Sequence, residues 1–132
     1  MKEFLAYLQK IKSENMEIIW YDSMIDDGRI FWQNRLTEYN KNYLGDKDNK
    51  LSDGMFLNFW WTEDKYSIVD PDDADKRLIY DVTGNELKES GELAESMGRS
   101  KYDLYAGVDV QANGYNTPIK WNYLFPEGKE AN

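Results

Sequence analysis

Three short apolar runs with no polar alternation constrain this chain most: Glu17-Ile18-Ile19-Trp20-Tyr21-Asp22, Met55-Phe56-Leu57-Asn58-Phe59-Trp60-Trp61, and Tyr102-Asp103-Leu104-Tyr105-Ala106-Gly107-Val108-Asp109-Val110. A strand with one wet face alternates apolar and polar residues, whereas an unbroken run fits a strand covered on both faces, as in a parallel sheet. All three runs are rich in aromatic and branched residues, the types that favour strands.

The segments between them agree with that reading. Phe4, Leu5, Leu8 and Ile11, with Tyr7 alongside, recur at helical spacing, and Ser13-Glu14-Asn15 supplies a stop, so residues 2 to 13 read as a surface helix. Ile25-Asp26-Asp27-Gly28-Arg29-Ile30 carries an Asp-Gly turn between apolar residues and predicts a hairpin projecting from the first strand, with Trp32 on its far side. Thr83-Gly84-Asn85-Glu86 fits a capping box. Leu87, Leu93, Ala94 and Met97 follow it up to Gly98, which predicts a second helix with a weak point at Gly91. Asp70-Pro71-Asp72-Asp73-Ala74-Asp75 reads as a solvated acidic loop. The resulting order of helix, strand, hairpin, strand, helix and strand is that of βα units in a parallel sheet or barrel. A closed (β/α)₈ barrel takes roughly 250 residues. A chain of 132 residues with three strands is expected to form only part of one, with strand edges left to pair elsewhere.

Composition narrows the chemistry. The chain has 25 acidic against 16 basic residues, a net charge of −9, which repels nucleic acid and anionic membrane surfaces. The absence of His and Cys excludes Ser-His-Asp and Cys-His catalysis, removes the usual zinc ligands, and leaves carboxylates, amides, Tyr and Trp. No cofactor or metal is expected. Calcium is disfavoured because Leu51 and Asp75 occupy the sixth position of the two acidic stretches, where an EF-hand loop needs Gly. Asn116-Thr117-Pro118 is not a glycosylation acceptor, since Pro blocks it. The opening residues lack the basic start of a signal peptide, and no apolar run approaches the roughly 18 residues of a membrane span. Neither leader nor anchor is expected, and the compartment is left open. Aromatic residues make up 15% of the chain, more than a core of this size needs, so some rings are available to a ligand such as a sugar, whose C–H face packs flat on them.

Each apolar run ends in polar or aromatic residues: Tyr21-Asp22-Ser23, Asn58 with Phe59-Trp60-Trp61, and Asp109 with Gln111. In a parallel barrel these ends meet on the face that carries the site. The bland alternative is that they merely cap strands and fix loops. A Trp is ordinarily core material, but Trp32 on the hairpin and Trp60 at a strand end are better placed to face a ligand than Trp61.

The strings Ile19-Trp20-Tyr21-Asp22-Ser23-Met24, Phe31-Trp32-Gln33-Asn34, Phe56-Leu57-Asn58-Phe59-Trp60-Trp61, and Tyr102 through Gly114 resemble, in order and spacing, the signatures of the family 85 endo-β-N-acetylglucosaminidases. The resemblance covers nearly the whole chain except about residues 63 to 92, which look like an insertion. It implies an α/β fold, part of a (β/α)₈ TIM barrel lacking its first and last strands, spanning residues 1–132. It also implies an N-linked glycan or glycoprotein substrate and the remainder of the barrel chain as partner, with retaining, substrate-assisted hydrolysis of the chitobiose core. In that chemistry the 2-acetamido oxygen attacks its own anomeric carbon, an Asn orients the acetamide, and a Glu protonates the leaving oxygen. The family's Asn and Glu precede the helix with which this sequence begins, and no residue here matches them. The segment by itself is therefore expected to be inactive. Tyr21 matches the Tyr that hydrogen-bonds the acetamide oxygen. Trp32, Phe59 and Trp60 match cleft aromatics, whereas Asn58 and Asp109 are substrate-binding candidates from strand-end position alone. Two other readings stand beside this one: an inactive carbohydrate-binding fragment or relative that keeps the aromatic cleft, and a small doubly wound module with no sugar site.

Overall fold

The computed structural model describes residues 1–62, 65–70, 72–81, 84–117 and 119–127. Its elements, in order, are α1 (Lys2–Ile11), β1 (Ile19–Tyr21), α2 (Lys41–Leu44), β2 (Gly54–Phe56), β3 (Lys65–Asp70), β4 (Asp73–Asp81), α3 (Glu86–Ser96), β5 (Leu104–Tyr105), α4 (Val110–Asn113) and α5 (Trp121–Leu124). Short 3₁₀ turns cover Trp60–Thr62, Lys101–Asp103 and Gly114–Asn116.

The three apolar runs form one parallel sheet in the order β1-β2-β5. Trp20 pairs with Met55, and Met55 with Leu104. The strands are shorter than the runs that contain them, although single bonds extend the pairing toward the tips: Asp22 N–H to Phe56 O at 2.9 Å, and Leu57 N–H to Tyr105 O at 2.8 Å. The third run is not one strand. Its first residues form a 3₁₀ turn, capped where the Ser100 hydroxyl accepts the Tyr102 N–H, and its last residue opens α4.

The Asp-Gly hairpin is reduced to a single antiparallel bridge, Met24 to Ile30, with Gly28 at φ 90°. The main hairpin is instead β3–β4, antiparallel and separate from the parallel sheet. It occupies the segment expected to be an insertion. The expected acidic loop is largely strand: Asp70 closes β3, and Asp73, Ala74 and Asp75 open β4. Pro71, Thr83 and Pro118 lie outside the described residues.

Both predicted helices are present. In α3, Asn85 is the N-cap and accepts the Lys88 N–H, and Gly98 follows the C-cap at φ 73°, a conformation glycine adopts without steric cost. Gly91 does not break this helix. It is buried, and a β-carbon there would sit 3.3 Å from the Lys101 side chain, so its smallness lets the next segment pack close. In α1 only Leu5 is buried, and the stripe of Phe4, Tyr7 and Ile11 is exposed.

The core gathers behind the sheet: Leu44, Met55, Leu57 and Trp61 are almost fully enclosed, joined by Leu5, Leu36, Tyr43, Leu51, Leu87 and Ala94. Trp20 stacks on Tyr43 with ring centroids 4.5 Å apart.

Two polar clusters bind the N-terminal ends of the strands. Arg99 donates to the carbonyls of Leu44, Gly45, Ser52 and Asp53 and to the Asp103 carboxylate, tying together the approaches to β2 and β5. Asp53 receives Lys12, Lys50, Gln9 and the Ile18 N–H just ahead of β1. Burial alone would raise its carboxyl, but the hydrogen bonds from Lys12, Lys50, Ile18 and Gln9 prevail and hold it below the usual range.

Candidate functional site

The opposite ends of the same strands carry the candidate site. Because β1 and β2 are parallel and in register, Tyr21 and Phe56 finish side by side, with ring centroids 5.6 Å apart. Phe56 meets Phe59 edge to face at 5.4 Å. The Tyr21 hydroxyl lies 3.1 Å from Asn58 Oδ1. Burial raises the Tyr21 pKa, the neighbouring Asp22 charge raises it further, and an interaction from the Trp32 side chain acts the other way.

Tyr21, Asn58 and Phe59 are thus in contact or one ring removed, and Trp32 reaches the same phenol. The rings of this group remain open to solvent, Tyr21 at 42% exposure and Trp32 at 44%, and Trp60 is exposed in the 3₁₀ turn that follows Phe59. Trp61 is 1% exposed and donates its indole N–H to Gly107 O at 2.9 Å, which makes it a core residue. The neighbouring residues Trp60 and Trp61 therefore divide between surface and interior. Asp109 stands beyond β5, two residues past the Gly107 N–H that bonds Asn58 O, and its carbonyl accepts the Thr117 hydroxyl.

Two residues of the site escaped the sequence reading. Phe56 is the ring between Tyr21 and Phe59. Asp22 is fully enclosed, and its carboxylate accepts the backbone N–H groups of Gln33 (2.8 Å) and Asn34 (2.5 Å) and the Asn40 side-chain amide (2.9 Å). This fixes the backbone next to Trp32, with Asn34 held at φ 57°. Burial pushes the Asp22 carboxyl up to about 6, against the opposing bonds from Asn40, Asn34 and Gln33. Its place in the polar string after β1 was the available signal.

Behind this strap lies a second buried carboxyl. Glu86 opens α3, and neither of its oxygens has a hydrogen-bond partner; Arg35 Nε is 3.7 Å away. Burial pushes its pKa up to about 7, Arg35 lowers it, Glu89 raises it, and Lys120 lowers it. The strap also meets α3 through the Leu36 N–H to Ser90 Oγ at 3.0 Å. Among the described residues no three carboxylates cluster as a metal site, and no helix is long and apolar enough to cross a membrane.

Three parallel strands joined through helices place the chain among α/β proteins, whose ligands bind at the carboxyl ends of the strands, where Tyr21 and Asn58 stand. The model of glycosyl hydrolase family 85 matches residues 1–130, and the chain belongs to that family. Cytosolic endo-beta-N-acetylglucosaminidase 1 of Arabidopsis thaliana is 32% identical over 121 residues, covering 89% of this chain and 14% of that protein. The zebrafish (Danio rerio) cytosolic endo-beta-N-acetylglucosaminidase is 32% identical over 114 residues, 84% of this chain and 12% of that protein. The glycoside hydrolase domain of Endo-D from Streptococcus pneumoniae R6 superposes with a TM-score of 0.63 at 26% identity, covering 96% of this chain and 16% of that one. The chain therefore spans about one-seventh of the plant relative's length.

Proposed function

We propose that this chain is the central part of a (β/α)₈ endo-β-N-acetylglucosaminidase barrel that hydrolyses the β-1,4 bond in the N,N'-diacetylchitobiose core of N-glycans. The observation that carries the proposal is the Tyr21 phenol, held at a parallel strand tip against Asn58 and beside Phe56, which in turn meets Phe59, in a chain of family 85. Tyr21 donates to the acetamide oxygen and holds it for attack on the anomeric carbon. The C1–O bond to the leaving sugar breaks, an oxazolinium forms, and an acid outside this chain protonates the leaving oxygen. Water then opens the oxazolinium from the opposite face, so that two inversions at the anomeric carbon give net retention. The phenol thus acts by holding the attacking oxygen in line with the anomeric carbon. Trp32, Phe59 and Trp60 form the apolar wall for the sugar, with Asn58 and Asp109 as the polar groups at the tips.

No residue in the chain matches the family's orienting Asn and acid Glu, so the segment alone is proposed to be inactive. The same observation favours a second reading, an inactive carbohydrate-binding relative. The test compares N-glycan release from a glycoprotein by this chain and by a version extended upstream. Release by the extended chain only supports the endoglycosidase. Glycan binding without release by either supports the second reading, and no binding by either overturns both.

A further inference from the structure

Asn58 is bonded to all three strand tips. Its backbone lies in the left-handed region at φ 72°, which Asn accepts more readily than most side chains, and the residue is only 5% exposed. Its carbonyl accepts the Gly107 N–H at 3.0 Å, joining the segment after β5. Its Oδ1 accepts the Phe59 N–H at 2.9 Å and meets the Tyr21 hydroxyl at the tip of β1.

The direction of that last bond follows from donor and acceptor inventory. A backbone N–H can only donate, so the side-chain amide atom facing Phe59 must be oxygen, which removes the usual ambiguity between amide O and N. An amide oxygen can only accept, so the phenol proton at this contact points inward, onto Asn58. Without substrate, the hydroxyl that would serve a ligand carbonyl is already donating to the protein.

We infer that Asn58 is the positioning residue of Tyr21: it fixes the phenol oxygen at one point of the cleft and yields the phenol proton to an incoming carbonyl oxygen, keeping the Phe59 N–H throughout. No covalent bond changes in this exchange. The hydroxyl rotates about its C–O bond, and O–H···Oδ1 is replaced by O–H···O=C of the ligand. A neutral amide suits the role because the two acceptors are matched. A carboxylate at this position would hold the proton in a charge-assisted bond roughly twice as strong and resist release. Glycine would keep the left-handed backbone but leave the phenol without a stop.

This inference rests on the proposed reading that Tyr21 meets the 2-acetamido group, and the test separates the two. In the full protein, Asn58→Gly, Asn58→Asp and Tyr21→Phe are made singly, and Asn58→Gly is added to Tyr21→Phe. Asn58→Gly is expected to lower kcat for N-glycan release about tenfold with little change in KM, and to cost nothing further in the Tyr21→Phe background. The Tyr21 phenol, followed by NMR of ring-labelled tyrosine and assigned with Tyr21→Phe, is expected to titrate lower in Asn58→Gly and higher in Asn58→Asp. Equal losses from Asn58→Gly in both backgrounds would show that Asn58 acts on the sugar or the fold and overturn the inference. So would a Tyr21 titration unmoved by both Asn58 variants. Undiminished release by Tyr21→Phe overturns the role of Tyr21 in the reaction and the kinetic part of this inference, while the titration still reports the Asn58 contact by itself. Thermal melting of each variant separates unfolding from loss of position.

Discussion

Glu86→Gln is expected to change the pH dependence of stability more than stability itself. The carboxyl is enclosed at the start of α3 without a hydrogen bond to either oxygen, and its pKa rises from 4.5 to about 7 in the folded chain. Between those values the native state holds a proton that the unfolded chain releases. Stability from this group is therefore complete below the unfolded value and is lost as pH rises through the folded one. At about 1.4 kcal/mol per pH unit the full difference is roughly 3 kcal/mol. Relaxation and water penetration lessen the burial penalty that carries the shift, to about 2 kcal/mol. Urea denaturation of wild type and Glu86→Gln at steps from pH 4 to 8 measures this directly, because every other titrating group is shared and cancels in the difference. The variant should gain about 2 kcal/mol on wild type across that window. A difference constant to within about 0.5 kcal/mol would mean that Glu86 ionises as an ordinary surface carboxyl, and the argument from burial would fail.

Trp60→Ala should reduce glycan binding at least about tenfold while costing under about 1 kcal/mol of stability, whereas Trp61→Ala should cost about 3–5 kcal/mol. Calorimetric binding and chemical denaturation on both variants check the pair, and similar stability losses from the two would contradict the surface and core assignments. Arg99→Met strips donors from buried carbonyls and leaves Asp103 without its guanidinium. The expected loss is about 3–5 kcal/mol in denaturant unfolding, and a loss below about 1 kcal/mol would rule out the clamp.

What the sequence made legible was the place of the parallel strands, although only β2 is largely covered on both faces, whereas β1 and β5 leave Ile19, Tyr21 and Tyr105 open to solvent. Three unbroken apolar runs contained the three parallel strands, and Gly98 marked the end of α3, whereas the capping box over 83–86 gave way to Asn85 as N-cap, with the Glu86 carboxyl accepting no hydrogen bond. Trp60 and Trp61 divide between surface and core as read, although both lie in the 3₁₀ turn beyond β2 and no strand end separates them. The β3–β4 ladder was hidden because it carries no such signature. Ile79 in it is 73% exposed, and the charged turn reads equally well as loop. The third run was read too long because Tyr102 belongs to a 3₁₀ turn, where an exposed aromatic looks no different from a strand residue. The role of Asp22 depends on Gln33, Asn34 and Asn40, 11 to 18 residues away, and only the fold brings them to its carboxylate. Phe56 was visible as a strand residue, but its place between Tyr21 and Phe59 is a matter of register.

The Arg99 and Asp53 clusters both grip the strands at the end remote from Tyr21. Rigidity is therefore supplied at one pole of the sheet and the open rings stand at the other, with Met55 and Leu57 packed between. On the proposed function, variation in the exposed rings would redirect which sugars are accepted without loosening the foundation.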